Sequence, residues 1–226
     1  MKVLVVAAHP DDEVLGCGAT IRRLSEEGHQ VQVCIFGEGA TSRHTKREQA
    51  VEEETRTLSI QAVEAGRILG ATSVLCFGLP DNRFDSLDLL DVVKRVESLL
   101  DEFSPSLVFT HHPGDLNVDH RVLFQATLTA CRPDPGASVK ELLCFEIPSS
   151  TEWAFQRIEP IFRPAVFYDV HTTLDKKLDA MAIYSRESRA FPHPRSPEAL
   201  TAVARRWGSV VGVEAAEAFE VIRTLR

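Results

Sequence analysis

The sequence predicts an α/β protein of the Rossmann-like type, in which helices cover both faces of a mostly parallel sheet. Three features of the chain lead to this fold class. Short runs of β-branched residues alternate with longer amphipathic segments, the connections between them are short, and glycine stands where a helix must stop. Strands that are buried on both faces are near-continuous apolar runs, and the chain begins with such a run.

The elements follow in the order strand, helix, strand along the first two-thirds of the chain. We expect strands over residues 3–8, 31–36, 73–77 and 107–110. We expect helices over residues 13–28, 43–69, 87–103 and 120–131, the first ending at Gly28 and the second at Gly70. The last third is less regular, with strands expected over residues 141–147 and 165–170 and helices over residues 174–184 and 197–207. Because no repeat or linker divides the sequence, we expect one domain over residues 1–226.

Composition argues against several classes of protein. The net charge is −8 and the sequence has no basic cluster, so we expect no nucleic-acid partner. The five cysteines are scattered and none forms a Cys-x-x-Cys pair, which argues against a disulfide framework or a cysteine zinc site. No apolar run approaches the length of a membrane span, and no signal-peptide pattern precedes the first strand. We therefore expect a cytoplasmic protein without membrane association.

The first cluster of reactive side chains comes directly after the first strand, at residues 9–13 (His-Pro-Asp-Asp-Glu). In open α/β sheets, ligands bind beyond the carboxyl ends of the strands, so this turn lies at the expected functional edge. His9 and Asp12, three apart on a tight turn, could converge on one metal ion and leave Asp11 for proton transfer. An Asp-Asp pair alone would indicate an ordinary helix cap. The neighbouring histidine favours a site.

The second cluster follows the fourth strand, where residues 111–120 supply three histidines and two aspartates. His120, at the start of a helix, is the best candidate for a third metal ligand. Two histidines and one carboxylate leave an open position for water, as in catalytic zinc sites. Asp115 or Asp119 could orient a metal-binding histidine by accepting a hydrogen bond from its other ring nitrogen. By itself this cluster is equally compatible with a polar surface loop, but both clusters at one sheet edge favour a metal site.

Together these motifs resemble the LmbE-like (PIG-L-type) N-acetylglucosaminyl deacetylases. The resemblance is carried by residues 9–13, by residues 15–18 (Leu-Gly-Cys-Gly) and by residues 119–121 (Asp-His-Arg). It implies a Zn²⁺ ion bound by His9, Asp12 and His120. It implies Asp11 as the general base and a homo-oligomeric assembly.

Residues 79–81 (Leu-Pro-Asp) match a family segment whose aspartate contacts the sugar, so the resemblance implies a small N-acylated amino-sugar substrate in contact with Asp81. Leu58 and Gln61 stand where many relatives carry an arginine and a glutamate, which puts the other inherited sugar contacts in doubt. The identity of the sugar is therefore left open.

One position departs from the family pattern at the reaction centre. Asn117 stands where many relatives carry a histidine that polarises the oxyanion. An asparagine amide can donate a hydrogen bond there but cannot carry charge or shuttle a proton. His112 and His193 are the alternative donors.

Three segments, residues 111–121, 149–153 and 192–196, resemble a bacterial branch of the family. They make Glu152 and His193 candidate substrate contacts. Arg195 is a candidate contact for an anionic substrate group, against the more common case of a solvated loop arginine.

The function predicted from these features is that of an enzyme, a zinc-dependent hydrolase of linear amides. It would remove the acetyl group from an N-acetyl amino sugar or its conjugate and release acetate. A nucleotide-binding or transferase domain is one alternative, but Gly16 and Gly18 come too late for its glycine fingerprint. A metal-dependent phosphoesterase is a second, although it would usually use a second metal site with more carboxylates. A non-catalytic zinc-bearing interaction protein is the third.

Overall fold

The computed structural model describes residues 1–41 and 52–226, within which a seven-stranded sheet is covered by six α-helices. The strands are β1 (Lys2–Ala7), β2 (Gln30–Gly37), β3 (Ser73–Leu79), β4 (Leu107–His111), β5 (Glu141–Phe145), β6 (Val166–Asp169) and β7 (Ala216–Thr224). The helices are α1 (Asp12–Glu26), α2 (Glu52–Leu69), α3 (Leu89–Phe103), α4 (Val118–Ala130), α5 (Leu174–Ile183) and α6 (Pro197–Val211). The predicted start of the helix over residues 43–69 lies outside the described residues.

The strand order is β3-β2-β1-β4-β5-β7-β6. Strands β1 to β5 run parallel to one another, whereas β7 is antiparallel to both β5 and β6. Val3 in β1 pairs with Val31 on one side and with Leu107 on the other. The chain therefore adds β2 and β3 on one side of β1. It then crosses to the other side of β1 and adds β4 and β5 there. Such a reversal leaves a crevice beyond the carboxyl ends of β1 and β4.

Helices cover both faces of the sheet, as predicted. Alternate side chains of β1 enter two separate apolar clusters because successive residues of a strand point to opposite faces. Val3 and Val5 pack with residues of α1, α2 and α5, whereas Leu4 and Val6 pack with residues of α3 and α4. All four side chains are fully buried. The sheet therefore separates two apolar cores, and both of its faces are used for packing. A functional site must then lie beyond the ends of the strands.

The main difference from the prediction is β7, which the sequence analysis did not identify as a strand. It pairs with β5 and β6 and turns the last part of the sheet antiparallel. Its second half is only partly buried, so its apolar residues do not form the continuous run that identified the parallel strands. Within the described residues, none of the helices has the length and apolar character that a membrane span needs.

An interruption in α1 is stabilised by a buried ion pair from other elements. Cys17 has a non-helical backbone (φ −149°, ψ 24°) in the middle of the helix. Just beyond it, the backbone N–H groups of Ala19 and Thr20 donate to the carboxylate of Glu217 in β7, at 3.2 and 2.7 Å. Lys177 of α5 donates to the same carboxylate at 2.6 Å. This junction fixes the start of α1, which carries part of the site, against the rest of the chain.

Candidate metal and catalytic site

The turn after β1 places the first cluster at the crevice. The backbone N–H of His9 donates to Asp12 Oδ2 at 2.8 Å, which closes the turn at the start of α1. Asp11 has a φ of 112°, a conformation that is strained for a residue other than glycine. Its N–H donates to the Glu13 carboxylate at 3.1 Å, and Tyr184 donates to the other oxygen of Glu13 at 2.6 Å. The Glu13 carboxylate, itself bound by Tyr184, therefore holds the strained backbone of Asp11 in place.

His9, Asp12 and His120 meet at this crevice, and all three are buried. His9 Nδ1 lies 3.3 Å from Asp12 Oδ2, and His120 Nε2 lies 3.2 Å from the same oxygen. One ligand atom from each residue lies within 4.8 Å of the other two. The structure therefore brings together the three residues that the sequence analysis proposed as metal ligands, although 108 residues separate Asp12 from His120 in the chain.

The donor set fits a divalent metal ion. His120 Nε2 is buried and makes no hydrogen bond to any of the described residues, which is costly for a polar atom unless a ligand occupies the space before it. Two imidazole nitrogens and one carboxylate oxygen are ordinary ligands for a catalytic metal and leave room for water or substrate. A second possible set, His9 with Asp81 and Asp119, shares His9 with the first.

Each of the two histidines turns its other nitrogen toward a carboxylate. His9 Nε2 lies 2.9 Å from Asp119 Oδ2, and His120 Nδ1 lies 3.1 Å from Asp115 Oδ1. The sequence left open which of the two aspartates orients a histidine, and in the structure each contacts one. Such pairs select the tautomer and orientation of a metal-binding imidazole.

Asp115 also anchors the turn at residues 149–152. It accepts hydrogen bonds from the Ser150 hydroxyl and, at 2.6 Å, from the Thr151 hydroxyl. Burial alone would raise the pKa of Asp115, but His120 and the hydroxyl donors outweigh it and bring the pKa down to about 2. Asp115 therefore stays ionised and connects His120 to this turn.

Asn117 has a structural contact that fixes its orientation. Its Oδ1 accepts the N–H of Asp119 at 2.8 Å, so Asn117 is the N-cap of α4. Because the side-chain oxygen faces the helix, the amide NH₂ group points the other way. Asn117 lines the crevice pocket, where this NH₂ group can act as a donor.

The crevice pocket has a volume of about 180 Å³. Arg195 and Glu187 form a charged wall on one side of it. The other polar residues at its surface include His9, Asp11, Asp81, Asn117, His120, Ser149 and Ser150. Asp81 Oδ1 lies 3.2 Å from His9 Nε2. Two candidate metal ligands, His9 and His120, therefore open into one cavity with an acid and a candidate sugar contact.

His112 does not line this pocket. Its ring is buried, its Nδ1 accepts the N–H of Gly114 at 3.1 Å, and its Nε2 lies 3.4 Å from Glu220. The ring packs edge-on against Phe162. The catalytic role proposed for His112 stays a prediction, and its placement gives it partners outside the pocket.

Glu152 and His193 also have protein partners. The Glu152 carboxylate accepts the backbone N–H of Ser149 at 2.6 Å. His193 Nδ1 accepts the N–H of Arg195 at 3.1 Å, and its ring lies against Trp153. Both side chains shape the loops beside the pocket, and their proposed substrate contacts stay predictions.

Arg195 has a contact that the sequence analysis did not foresee. Its Nη1 lies 2.6 Å from Asp11 Oδ2, and only 22 % of its side chain is exposed. Its Nε donates to the Ser149 hydroxyl at 2.7 Å, and Glu187 lies 3.5 Å from Nη1. The only signal in the sequence is a cation in a proline-rich turn, and 184 residues separate it from Asp11.

The adjacent acids Asp11 and Asp12 have opposite electrostatic environments. Burial raises the pKa of Asp11 well above its ordinary value, although Arg195 opposes this shift. Burial acts on Asp12 in the same direction, but His120 and His9 hold the pKa of Asp12 well below its usual range. The acidic neighbours overcome burial and raise the pKa of His120 to about 9. Such divergence between neighbouring carboxyls is typical of sites that use one as a proton carrier and one as a fixed charge.

The fold and this site define a class of protein: an α/β enzyme with a candidate metal site beyond the carboxyl ends of its central strands. A family model described as GlcNAc-PI de-N-acetylase (PIG-L) matches residues 4–131. The chain belongs to this family of deacetylases, as its motifs predicted, and is therefore a hydrolase that acts on amide bonds.

Two relatives are named deacetylases. The uncharacterized deacetylase YaiS of Escherichia coli K12 is 30 % identical over 179 residues, which are 74 % of this chain and 81 % of that protein. The probable N-acetyl-alpha-D-glucosaminyl L-malate deacetylase 2 of Bacillus cereus is 24 % identical over 191 residues, which are 83 % and 84 % of the two chains.

Solved structures show the same fold. The conserved protein TT1542 from Thermus thermophilus has a TM-score of 0.77 at 25 % identity, and the match covers 99 % of this chain and 96 % of that one. The N,N′-diacetylchitobiose deacetylase of Pyrococcus horikoshii has a TM-score of 0.77 at 21 % identity, covering 98 % and 84 %. GalB of Pseudomonas putida, a 4-carboxy-2-hydroxymuconate hydratase, has a TM-score of 0.76 at 23 % identity, covering 98 % and 95 %. Because a hydratase and a deacetylase share the fold, the reaction must be argued from the site.

Proposed function

We propose that the protein is a zinc-dependent N-deacetylase that hydrolyses the acetamide of an N-acetyl amino sugar or its conjugate. One observation carries this proposal. A buried carboxyl group, Asp11, lies beside the cluster of His9, Asp12 and His120 and opens into the same pocket. The names of the Bacillus cereus relative and of the Pyrococcus horikoshii enzyme support an N-acetylated sugar compound as the substrate class.

His9, Asp12 and His120 would hold the zinc ion, with Asp119 and Asp115 orienting the two imidazoles. A zinc ion bound there would make water a better nucleophile and would polarise the carbonyl of the amide. Three protein ligands would leave room at the ion for this chemistry.

Asp11 accepts the proton that the attacking water loses and delivers a proton to the leaving nitrogen. The C–N bond of the amide breaks, and the products are acetate and a free amine. Burial favours the protonated form of Asp11, so the carboxyl group can hold the proton between the two steps. Asp12 cannot do the same while it serves as a ligand.

Asn117 donates its amide NH₂ group to the oxyanion that forms on the substrate carbonyl. Its side-chain oxygen is engaged by the helix cap, so only the NH₂ group is available to the pocket. Asp81, which lies at His9 Nε2 whereas Asp12 lies at Nδ1, accepts a hydrogen bond from a sugar hydroxyl. These two assignments orient the acetamide and the sugar ring within one cavity.

The test is acetate release from a panel of N-acetylated sugars, nucleotide sugars and their conjugates. We expect acetate release that a chelator abolishes and added zinc restores. Phosphate esters serve as a comparison panel for phosphoesterase activity, and unsaturated carboxylic acids for hydratase activity. Turnover of either comparison panel, with no acetate from any amide, would contradict the proposed function.

A further inference from the structure

The geometry points to Arg195 as the residue that positions the Asp11 carboxylate for proton transfer. This inference rests on the proposed function, because only there does Asp11 carry the proton. In this role Arg195 touches neither the metal ligands nor the bond that breaks. It holds one oxygen of Asp11 and leaves the other free to face the attacking water.

The contacts of Arg195 fix its guanidinium group in two directions. Nη1 donates to Asp11 Oδ2 at 2.6 Å, and Nε donates to the Ser149 hydroxyl at 2.7 Å. A guanidinium group is planar, so two bonds from different nitrogens determine the orientation of the whole group. No donor of the described residues bonds to Asp11 Oδ1. Among the residues that the structure describes, the carboxylate is therefore held at one oxygen, Oδ2.

Ser149 is itself held in place. It has a left-handed backbone (φ 72°), and its N–H donates to Glu152 at 2.6 Å. The same short turn contacts Asp115 through the hydroxyls of the next two residues, and Asp115 contacts His120. One turn thus anchors both the guanidinium group that holds the base and the carboxylate that orients a metal ligand. This arrangement fixes the distance between the base and the metal site.

Glu187 holds Arg195 from a second side. Its carboxylate lies 3.5 Å from Nη1, the same nitrogen that binds Asp11. A largely buried cation without carboxylate partners would be costly. Glu187 supplies a second carboxylate, so the guanidinium group keeps its orientation.

These contacts argue against a direct substrate role for Arg195. An anionic group of a substrate could reach Nη1 or Nε only by displacing Asp11, Glu187 or Ser149. The two roles differ in kinetics. A positioning residue affects kcat, since a displaced base slows the chemical step, whereas a residue that binds an anionic substrate group affects KM.

The experiment is a double-mutant cycle with Arg195→Gln, Asp11→Asn and the double variant, assayed by acetate release from the best substrate of the panel. A misplaced catalytic group costs on the order of 10²-fold in rate, so we expect kcat of Arg195→Gln to fall by up to about that factor with KM little changed. In the Asp11→Asn background the same substitution should have little further effect, because no base remains to be positioned. Arg195→Lys keeps the charge without the planar fork and should recover part of the rate.

Arg132→Gln is the matched control, since Arg132 pairs with Glu97 in an exposed ion pair that is part of another surface. It should leave kcat and KM unchanged. An equal loss in both backgrounds, or a rise in KM with kcat unchanged, would overturn the positioning role. Normal turnover by Asp11→Asn would instead show that Asp11 is not the base. The proposed function, and not only the positioning role of Arg195, would then be contradicted.

A second measurement does not use activity. The thermal unfolding of the metal-free variants reports the contact itself. Arg195→Gln leaves the buried Asp11 carboxylate without its cation. The midpoint of thermal unfolding of this variant should therefore fall below that of the wild type. Adding Asp11→Asn removes the unpaired charge and should restore part of the loss. Additive losses in the double variant would show that the two side chains do not interact.

Discussion

Asp11 and Asp12 are neighbours in the chain but have different partners, and their substitutions should fail in different ways. Asp12 shares one oxygen between His9 and His120, so Asp12→Ala should lose zinc or release it easily. Asp11→Asn keeps the shape of the side chain and all three ligands, so it should stay zinc-loaded. It removes the proton carrier, which typically contributes roughly 10²–10⁴-fold in rate. Metal content and acetate release, measured on the same preparations, check this prediction.

Two outcomes would revise the assignment. If Asp11→Asn loses its zinc while Asp12→Ala retains it, the two roles are interchanged. If Asp11→Asn is zinc-loaded and fully active, another group is the base. Circular dichroism of each variant separates loss of ligand from loss of fold.

Asn117 is the N-cap of α4 and the proposed oxyanion donor, and one substitution would remove both groups together. Asn117→Ala should lower turnover by at most about 10²-fold, because it removes one oxyanion donor while the zinc ion remains. It should also lower the free energy of unfolding by about 1 kcal/mol, because the cap of α4 is lost. Acetate release and urea unfolding check the two effects.

Asn117→Ser separates these two functions. Serine is a good N-cap but has no amide group, so stability should return toward the wild type while turnover stays low. Recovery of both together would indicate that Asn117 acts only through the helix cap. A loss of activity as large as that of Asp12→Ala would show a role for Asn117 that the structure does not reveal.

Among the elements, the junction of α1, α5 and β7 should be the most sensitive to a single charge. Lys177→Met leaves Glu217 buried without its cation, and breaking a buried pair in this way costs about 3–5 kcal/mol. The backbone beyond Cys17 depends on the same carboxylate, so the start of α1 should loosen as well. Urea unfolding measures the loss.

Lys176→Met provides the matched control, because the adjacent lysine pairs with Asp179 at an exposed position. Exposed pairs contribute about 0–1 kcal/mol, so its unfolding curve should nearly overlay that of the wild type. Equal effects of the two substitutions would show that burial of the Lys177 pair has no energetic importance.

The elements of the central sheet could be predicted because each parallel strand is an apolar run with nearby turn signals. β1, buried from Val3 onward, is the clearest example. The position of β7 could not be predicted this way, since one half is buried and the other is partly exposed. The start of α4 was placed at His120, two residues late, because the helix is capped by Asn117 and begins at Val118. Local sequence therefore identified buried elements better than edges and caps.

At the scale of the whole molecule, the proposed zinc ion would link the segment that follows β1 to the segment that follows β4. His9 and Asp12 follow β1, and His120 follows β4. An ion that binds only the folded chain stabilises it, by about 4 kcal/mol when free zinc exceeds its Kd roughly a thousandfold. We therefore expect zinc to raise the midpoint of thermal unfolding and a chelator to lower it.

His120→Ala removes one ligand and should abolish most of the zinc-dependent shift. The same shift in His120→Ala and the wild type would place the zinc ion elsewhere in the molecule. Asp179→Ala, which alters an exposed acid on α5, should respond to zinc as the wild type does.

The candidate site was predictable where its residues lie on parallel strands and less so elsewhere. The candidate metal ligands follow β1 and β4, and parallel strands bring their carboxyl ends to one edge, so the sequence alone could pair them. The contact between Arg195 and Asp11 depends on loops that follow α5 and β5, whose paths have no such rule. His112 illustrates the converse, since it lies in the predicted cluster but its ring points to Glu220.

The division of the site between two parts of the chain has an evolutionary consequence. Residues 4–131, which match the family model, contain Asp11 and all three proposed ligands, whereas Ser149 and Arg195 come from the remainder. After gene duplication, the later part can diverge and change what enters the crevice while the ligand set is inherited intact. As long as a descendant keeps an anchored cation opposite Asp11, new substrates can be acquired without inventing the hydrolytic chemistry again.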